Sequence, residues 1–145
     1  MPIHACLAGL EFGDGFPVRI LGALNVSPES FYRGSVAVAP AALRDRAQQM
    51  VAEGADLLDI GAMSTAPYKE TWISEDEEIR RLVPAVAVVR AAVAVPLSAD
   101  TARAGVARAA LEAGAQVIND VTGLRGDPAL APLAATRSQG LLLMA

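Results

Sequence analysis

The chain has 145 residues, 16 acidic side chains against 12 Lys and Arg, a formal charge of −4 and 53% hydrophobic residues. With a mean hydropathy of +0.37, that composition excludes a disordered chain, and the acidic excess excludes the basic footprint of a nucleic-acid binder. The single cysteine, Cys6, leaves no intrachain disulfide framework, so a reducing cytoplasm is the expected setting. No membrane partner is expected either: Met1-Pro2-Ile3-His4-Ala5 lacks a signal-peptide start. The longest apolar stretch, Leu82 to Leu97, is interrupted by Pro84, Arg90 and Pro96 and falls short of the roughly 20 residues of a membrane helix.

In chain order, Met1–Pro17, with Gly13-Asp14-Gly15, predicts an N-terminal β-hairpin of the kind that plugs the bottom of a barrel. Five short apolar runs without alternation then predict strands buried on both faces: Arg19–Asn25, Asp56–Gly61, Pro96–Asp100, Gln116–Val121 and Gly140–Met144. Four Ala-rich segments between them carry helix signals. Pro40–Glu53 starts with a first-turn proline and stops at Gly54. Ser74–Val93 opens on Ser74-Glu75-Asp76-Glu77, the pattern of a capping box. Thr101–Ala113 ends at Gly114, and Asp127–Thr136 has Asp127 as N-cap and Pro128 in the first turn.

Strand–helix alternation predicts right-handed βαβ crossovers and a parallel α/β fold. An internal echo agrees: Glu53-Gly54-Ala55-Asp56-Leu57-Leu58-Asp59-Ile60 resembles Ala113-Gly114-Ala115-Gln116-Val117-Ile118-Asn119-Asp120, 60 positions later. A closed barrel of eight such units takes about 250 residues, so this chain has room for about four to five βα units of a (β/α)8 TIM barrel, together with the hairpin, and residues 1–145 are expected to form one domain. Alone, its unpaired apolar edge strands would invite association.

Ligands of α/β folds sit at the carboxyl ends of the strands, and polar residues collect there: Asn25, Asp59, Ser98 with Asp100, and Asn119-Asp120. One buried Asp most often caps a neighbouring helix; four polar strand ends on one rim point to a ligand. Asp only accepts hydrogen bonds, whereas Asn both donates and accepts. Asp100, Asn119 and Asn25 therefore suit a flat heterocycle whose edge alternates N–H donors with acceptors. The lone lysine, Lys69, lies in no glycine-rich phosphate loop, and no Cys/His set has zinc spacing. His4 is expected on the surface, and Cys6 as a small buried apolar group.

These same residues resemble the dihydropteroate synthases of the pterin-binding superfamily. Asn25-Val26-Ser27-Pro28-Glu29-Ser30-Phe31 is similar to their N-V-T-P-D-S-F signature, and Asp59-Ile60-Gly61-Ala62-Met63-Ser64-Thr65-Ala66-Pro67 to D-I-G-G-E-S-T-R-P. Ser98-Ala99-Asp100-Thr101 matches the S-I-D-T strand, and Ile118-Asn119-Asp120-Val121-Thr122-Gly123 the I-N-D-V-S-G strand. The resemblance implies a (β/α)8 barrel, with residues 1–145 as the N-terminal portion of its pterin-binding domain, that condenses 6-hydroxymethyl-7,8-dihydropterin diphosphate with 4-aminobenzoate, releasing pyrophosphate in folate synthesis. It implies that Asp100 and Asn119 hydrogen-bond the pterin and that Asp100 is the catalytic carboxylate. It also implies that Thr65, with Ser64 beside it, binds the diphosphate substrate and that Asn25 helps to hold Mg²⁺. Homodimers are common in the family, so a homodimer is one option here.

Three departures stand out: Arg33 where the family has an acid, and Met63 and Ala66 where it has Glu and Arg. Arg33 could restore some of the lost positive charge, or both loops could belong to a divergent homologue. The second-half residues of the family barrel, among them a loop Lys and an Arg-x-His pair, have no counterpart here, so no turnover is expected from this chain alone. Two alternatives accompany the synthase expectation: the pterin-binding module of a methyltetrahydrofolate-dependent methyltransferase, and a non-catalytic pterin-binding half-barrel or decayed frame.

Overall fold

A computed structural model describes residues 1–27, 39–63 and 72–144. Strands β1 (His4–Leu7) and β2 (Leu10–Gly13) form an antiparallel hairpin. Its turn is Ala8-Gly9, both at positive φ (48° and 83°), as a two-residue hairpin loop requires. The Gly13-Asp14-Gly15 segment instead ends β2 and leads out of the hairpin, with the Asp14 carboxylate accepting from the Ile3 N–H at 3.0 Å.

The remaining strands are β3 (Leu21–Asn25), β4 (Leu57–Gly61), β5 (Leu97–Asp100), β6 (Val117–Asp120) and β7 (Leu141–Leu143). They form one parallel sheet in the order β3-β4-β5-β6-β7. Helices α1 (Pro40–Ala52), α2 (Glu75–Ala92), α3 (Ala104–Glu112) and α4 (Leu130–Arg137) connect them. Neighbours in space are neighbours in sequence, which is barrel order and differs from the reversal of a doubly wound sheet. The chain thus adopts the first five parallel strands of a (β/α)8 barrel, with its hairpin in front. Among the described residues no helix is long and apolar enough to cross a membrane.

Side-chain alternation sorts the sheet into two faces. Leu58, Ile60, Leu97 and Ala99 pack with Leu82, Val86, Val89 and Val106 from the helices, and Ile118 packs with Ala104, Ala107, Leu130 and Leu133. Each such large apolar side chain, once fully buried, contributes about 1.5–3 kcal/mol. On the opposite face Leu57 and Val117, at the strand beginnings, pack against Leu7 with Leu10 and Phe12 beside it. The hairpin therefore closes the amino-terminal end of the inner face and leaves the carboxyl-terminal end to the polar residues.

The 60-residue echo is a structural repeat. Gly54 and Gly114 both have positive φ (113° and 119°). In each unit the Gly N–H bonds the carbonyl three residues back (Val51, Leu111) and the next N–H the carbonyl five back (Met50, Ala110). This is a Schellman stop, which turns helix into strand in a few residues.

Several local expectations change. Ser74 does cap α2, its hydroxyl accepting from the Glu77 N–H at 3.2 Å, but Glu77 turns away from a reciprocal cap to pair with Arg80 and Arg81. That pairing holds its carboxyl below the ordinary range. α2 runs on through Pro84. α4 begins at Leu130, later than Asp127, and α3 begins three residues after Thr101. Cys6 is exposed, correcting the expectation of a buried thiol; in a two-stranded hairpin, alternate side chains have no second layer to cover them. His4 is on the surface, paired with Glu11 and stacked on Phe16.

Candidate active site

Strand register places the site. Asn25 pairs with Gly61, Gly61 with Asp100, and Asp100 with Asn119, so the three predicted ligand residues stand in one row at the carboxyl end of the sheet. Two residues deeper on β4 and β5, Asp59 is level with Ser98. Alternation puts Asp59, Ser98, Asp100 and Asn119 on the face turned away from the helices.

Asp59, 7% exposed, accepts from the Ser98 hydroxyl at Oδ1 and from Asn119 Nδ2 at Oδ2, at 3.0 Å. A buried carboxylate without such donors would cost several kcal/mol. Burial raises its pKa and the two donors partly restore the charged form. Asp100 lacks comparable help: burial, then the negative charges of Asp59, Glu78 and Asp120, push its carboxyl up to about 7. Two carboxylates on one face are thus separated by their surroundings, Asp59 held by donors and Asp100 left poised near neutrality.

Two glycine and asparagine details complete the row. A Cβ on Gly61 would meet Asp100 Oδ2 at 3.2 Å, so the missing side chain leaves space in which the Asp100 carboxylate lies. Asn25 Oδ1 accepts from the Ser27 N–H at 2.9 Å. An amide oxygen has two lone pairs, so this bond orients the group while sparing one.

Asp120 is engaged by its own loop. It is fully buried and accepts from the Thr122 N–H and hydroxyl and from the Leu124 N–H, shaping the loop after β6. Asp127 acts similarly, accepting from Ala104 N at 2.8 Å and Ala129 N at 2.9 Å. The Ala104 bond ties that loop to the start of α3, and both bonds hold the carboxyl below its ordinary pKa. Ser64 and Thr65, and with them Arg33 and Ala66, lie outside the described residues. Met63 lines a cleft of about 380 Å³ together with Asp100, Thr101 and Trp72.

Sequence reasoning gave no role to Glu78. It is fully buried and paired with Arg103 Nη1 at 2.8 Å, and its charge is among those acting on Asp100. The signal was present: Glu78, Leu82, Val86 and Val89 share the buried face of α2, so an acid sits in an apolar stripe of helical period.

A parallel sheet in barrel order, with buried and half-buried acid and amide side chains at its carboxyl-terminal rim, defines the class of barrel protein in which ligands bind where the strands end. The family model described as pterin binding enzyme matches residues 21–145, and the chain belongs to that family. It is 39% identical over 142 residues to the dihydropteroate synthase of Bacillus subtilis, covering 98% of this chain and 49% of that protein. Among solved structures it is similar to Xanthomonas albilineans dihydropteroate synthase with 4-aminobenzoic acid (TM-score 0.79, 39% identity, 96% of this chain and 51% of that one). A second is Burkholderia cenocepacia dihydropteroate synthase complexed with 7,8-dihydropteroate (TM-score 0.75, 38% identity, 97% and 45%). The chain spans about half the length of each of these relatives.

Proposed function

We propose that this chain supplies the pterin-binding half of a dihydropteroate synthase, which joins 6-hydroxymethyl-7,8-dihydropterin diphosphate to 4-aminobenzoate. The row Asn25–Gly61–Asp100–Asn119 carries the reading. Asp100 accepts hydrogen bonds from the N–H groups on the pterin edge, and Asn119, its amide oriented by Asp59, offers the complementary acceptor. Departure of pyrophosphate leaves positive charge on the pterin methylene, and a carboxylate at Asp100 in a site of low polarity stabilises it. Ser64 and Thr65 are assigned to the diphosphate substrate on the family resemblance.

The donor set fits Mg²⁺ only in part: Asn25 offers one neutral oxygen, so the cation would take most of its ligands from the diphosphate and water, as Mg²⁺ commonly does. When bound, it neutralises charge on the leaving group. A homodimer accompanies the proposal on the family resemblance, and a cytoplasmic setting on the single cysteine.

Isothermal titration of the 145-residue chain with 6-hydroxymethylpterin tests the reading. Binding weakened roughly 10-fold or more in Asp100→Ala is expected, from the loss of hydrogen bonds to a charged group. Equal affinity in the wild type and the variant would overturn it.

A further inference from the structure

One wall of the cleft is unused by the chemistry above. Trp72 is the chain's single tryptophan and is 86% exposed, yet it is held in place. The Arg103 guanidinium lies 4.5 Å from its ring centroid. Arg103 is itself fixed, donating Nη1 to buried Glu78 at 2.8 Å and Nη2 to the Ile73 carbonyl at 2.9 Å. Arg103 braces the indole, which keeps most of its apolar surface in water, an arrangement that disfavours the free state and favours any flat partner that covers it.

Trp72 and Asp100 line the same cleft, whose size of about 380 Å³ suits a fused two-ring heterocycle. The charges choose among aromatic ligands. Among the described residues, Glu75, Asp100 and Asp127 line the cleft against Arg103, and Arg103 is already matched by Glu78. An aromatic carboxylate is therefore repelled, whereas a neutral heterocycle with N–H groups on its edge is accepted. We infer that Trp72 is a specificity-determining residue: a stacking platform, braced by Arg103, for the heterocycle whose edge Asp100 accepts. This rests on the pterin reading above and adds a residue to it.

The test is a titration of the 145-residue chain with 6-hydroxymethylpterin, read both by calorimetry and by quenching of the Trp72 emission. Stacking predicts that stoichiometric pterin quenches the wild-type emission. It also predicts that Trp72→Ala weakens binding about 10-fold while Trp72→Phe stays within about 2-fold. Unchanged affinity in Trp72→Ala with Asp100→Ala impaired would overturn the platform and leave the pterin site standing. Absence of pterin binding by the wild type would overturn both. Quenching by 4-aminobenzoate and not by the pterin would also overturn the platform. Should Trp72→Ala fail to fold, the wild-type emission decides: pterin bound without quenching overturns the proposal.

Discussion

Asn119 donates to Asp59 at 3.0 Å, and the two residues occupy the same place in the repeated segment, 60 positions apart. They belong to β4 and β6, separated by β5, and meet because both project from the face away from the helices of a twisted sheet. At this position the first copy carries an acid and the second an amide, so a donor–acceptor pair forms where two acids would repel.

That relationship predicts the cost of breaking it. Asn119→Ala leaves Asp59 with only the Ser98 donor, and a buried group short of a partner costs about 1–3 kcal/mol. Urea denaturation at pH 7 should show a loss of that size. A change below about 0.5 kcal/mol would mean that water replaces the amide without penalty.

Asp100 makes stability fall as pH rises. Its folded pKa of about 7 lies well above the ordinary aspartate value of 3.8, so between these values the folded chain holds a proton that the unfolded chain has released. The stabilisation is complete below about pH 4 and is lost as pH rises through about 7. Asp100→Asn removes the titration. Its urea midpoint should therefore change less with pH between 4 and 8 than that of the wild type, and should exceed the wild-type midpoint at pH 8. Parallel profiles for the two chains would refute the assignment. Pterin affinity should move oppositely in the wild type, rising as the carboxylate forms.

Gly61→Ala tests the space under Asp100. A Cβ placed 3.2 Å from Asp100 Oδ2 requires the carboxylate to shift by a few tenths of an ångström. The backbone is undisturbed because Gly61 is not among the glycines at positive φ. Pterin affinity should drop several-fold, since a displaced acceptor loses hydrogen-bond geometry, while thermal stability changes little. Calorimetric titration beside a melting curve separates the two.

Arg103→Ala strands Glu78, which is fully buried. Removing one partner of a buried ion pair costs about 3–5 kcal/mol, so this variant should be among the least stable single substitutions on the rim. Glu78→Gln should be milder, and it removes one of the charges that raise Asp100. The midpoint of the pH-dependent stability loss should accordingly move to lower pH; a midpoint that stays in place would place Glu78 outside the Asp100 electrostatics.

Much of this arrangement was legible in the chain. Pro40, Ser74, Gly54 and Gly114 mark helix ends because their chemistry is local: a fixed φ, a capping hydroxyl, tolerance of positive φ. The runs Arg19–Asn25, Asp56–Gly61, Pro96–Asp100 and Gln116–Val121 were readable as parallel strands because burial on both faces removes polar alternation. Since strands of a parallel sheet point the same way, their polar ends had to share one rim. The hairpin's existence was readable too, although its turn lies at Ala8-Gly9 and not at the glycine-rich segment that follows.

What local chemistry could not decide was which partner each polar group takes. Asp59, Asp100 and Asp120 are all acids at strand ends, yet one is held by Ser98 and Asn119, one is left poised, and one is consumed by its own loop. Those fates depend on register and on which face of the sheet a side chain leaves, and both arise only when distant strands pair. Glu78 and Trp72 show the same division. Helical period placed the acid on a buried face and composition marked the indole as rare, but only packing brought Arg103 to both, because the entry of α2 and the start of α3 meet only in space. The sequence by itself determined the order of strands and helices and the rim on which polar residues gather; the tertiary structure decided the charge state of that rim and the surfaces it presents to a ligand, because desolvation and charge proximity exist only once the chain has closed around them.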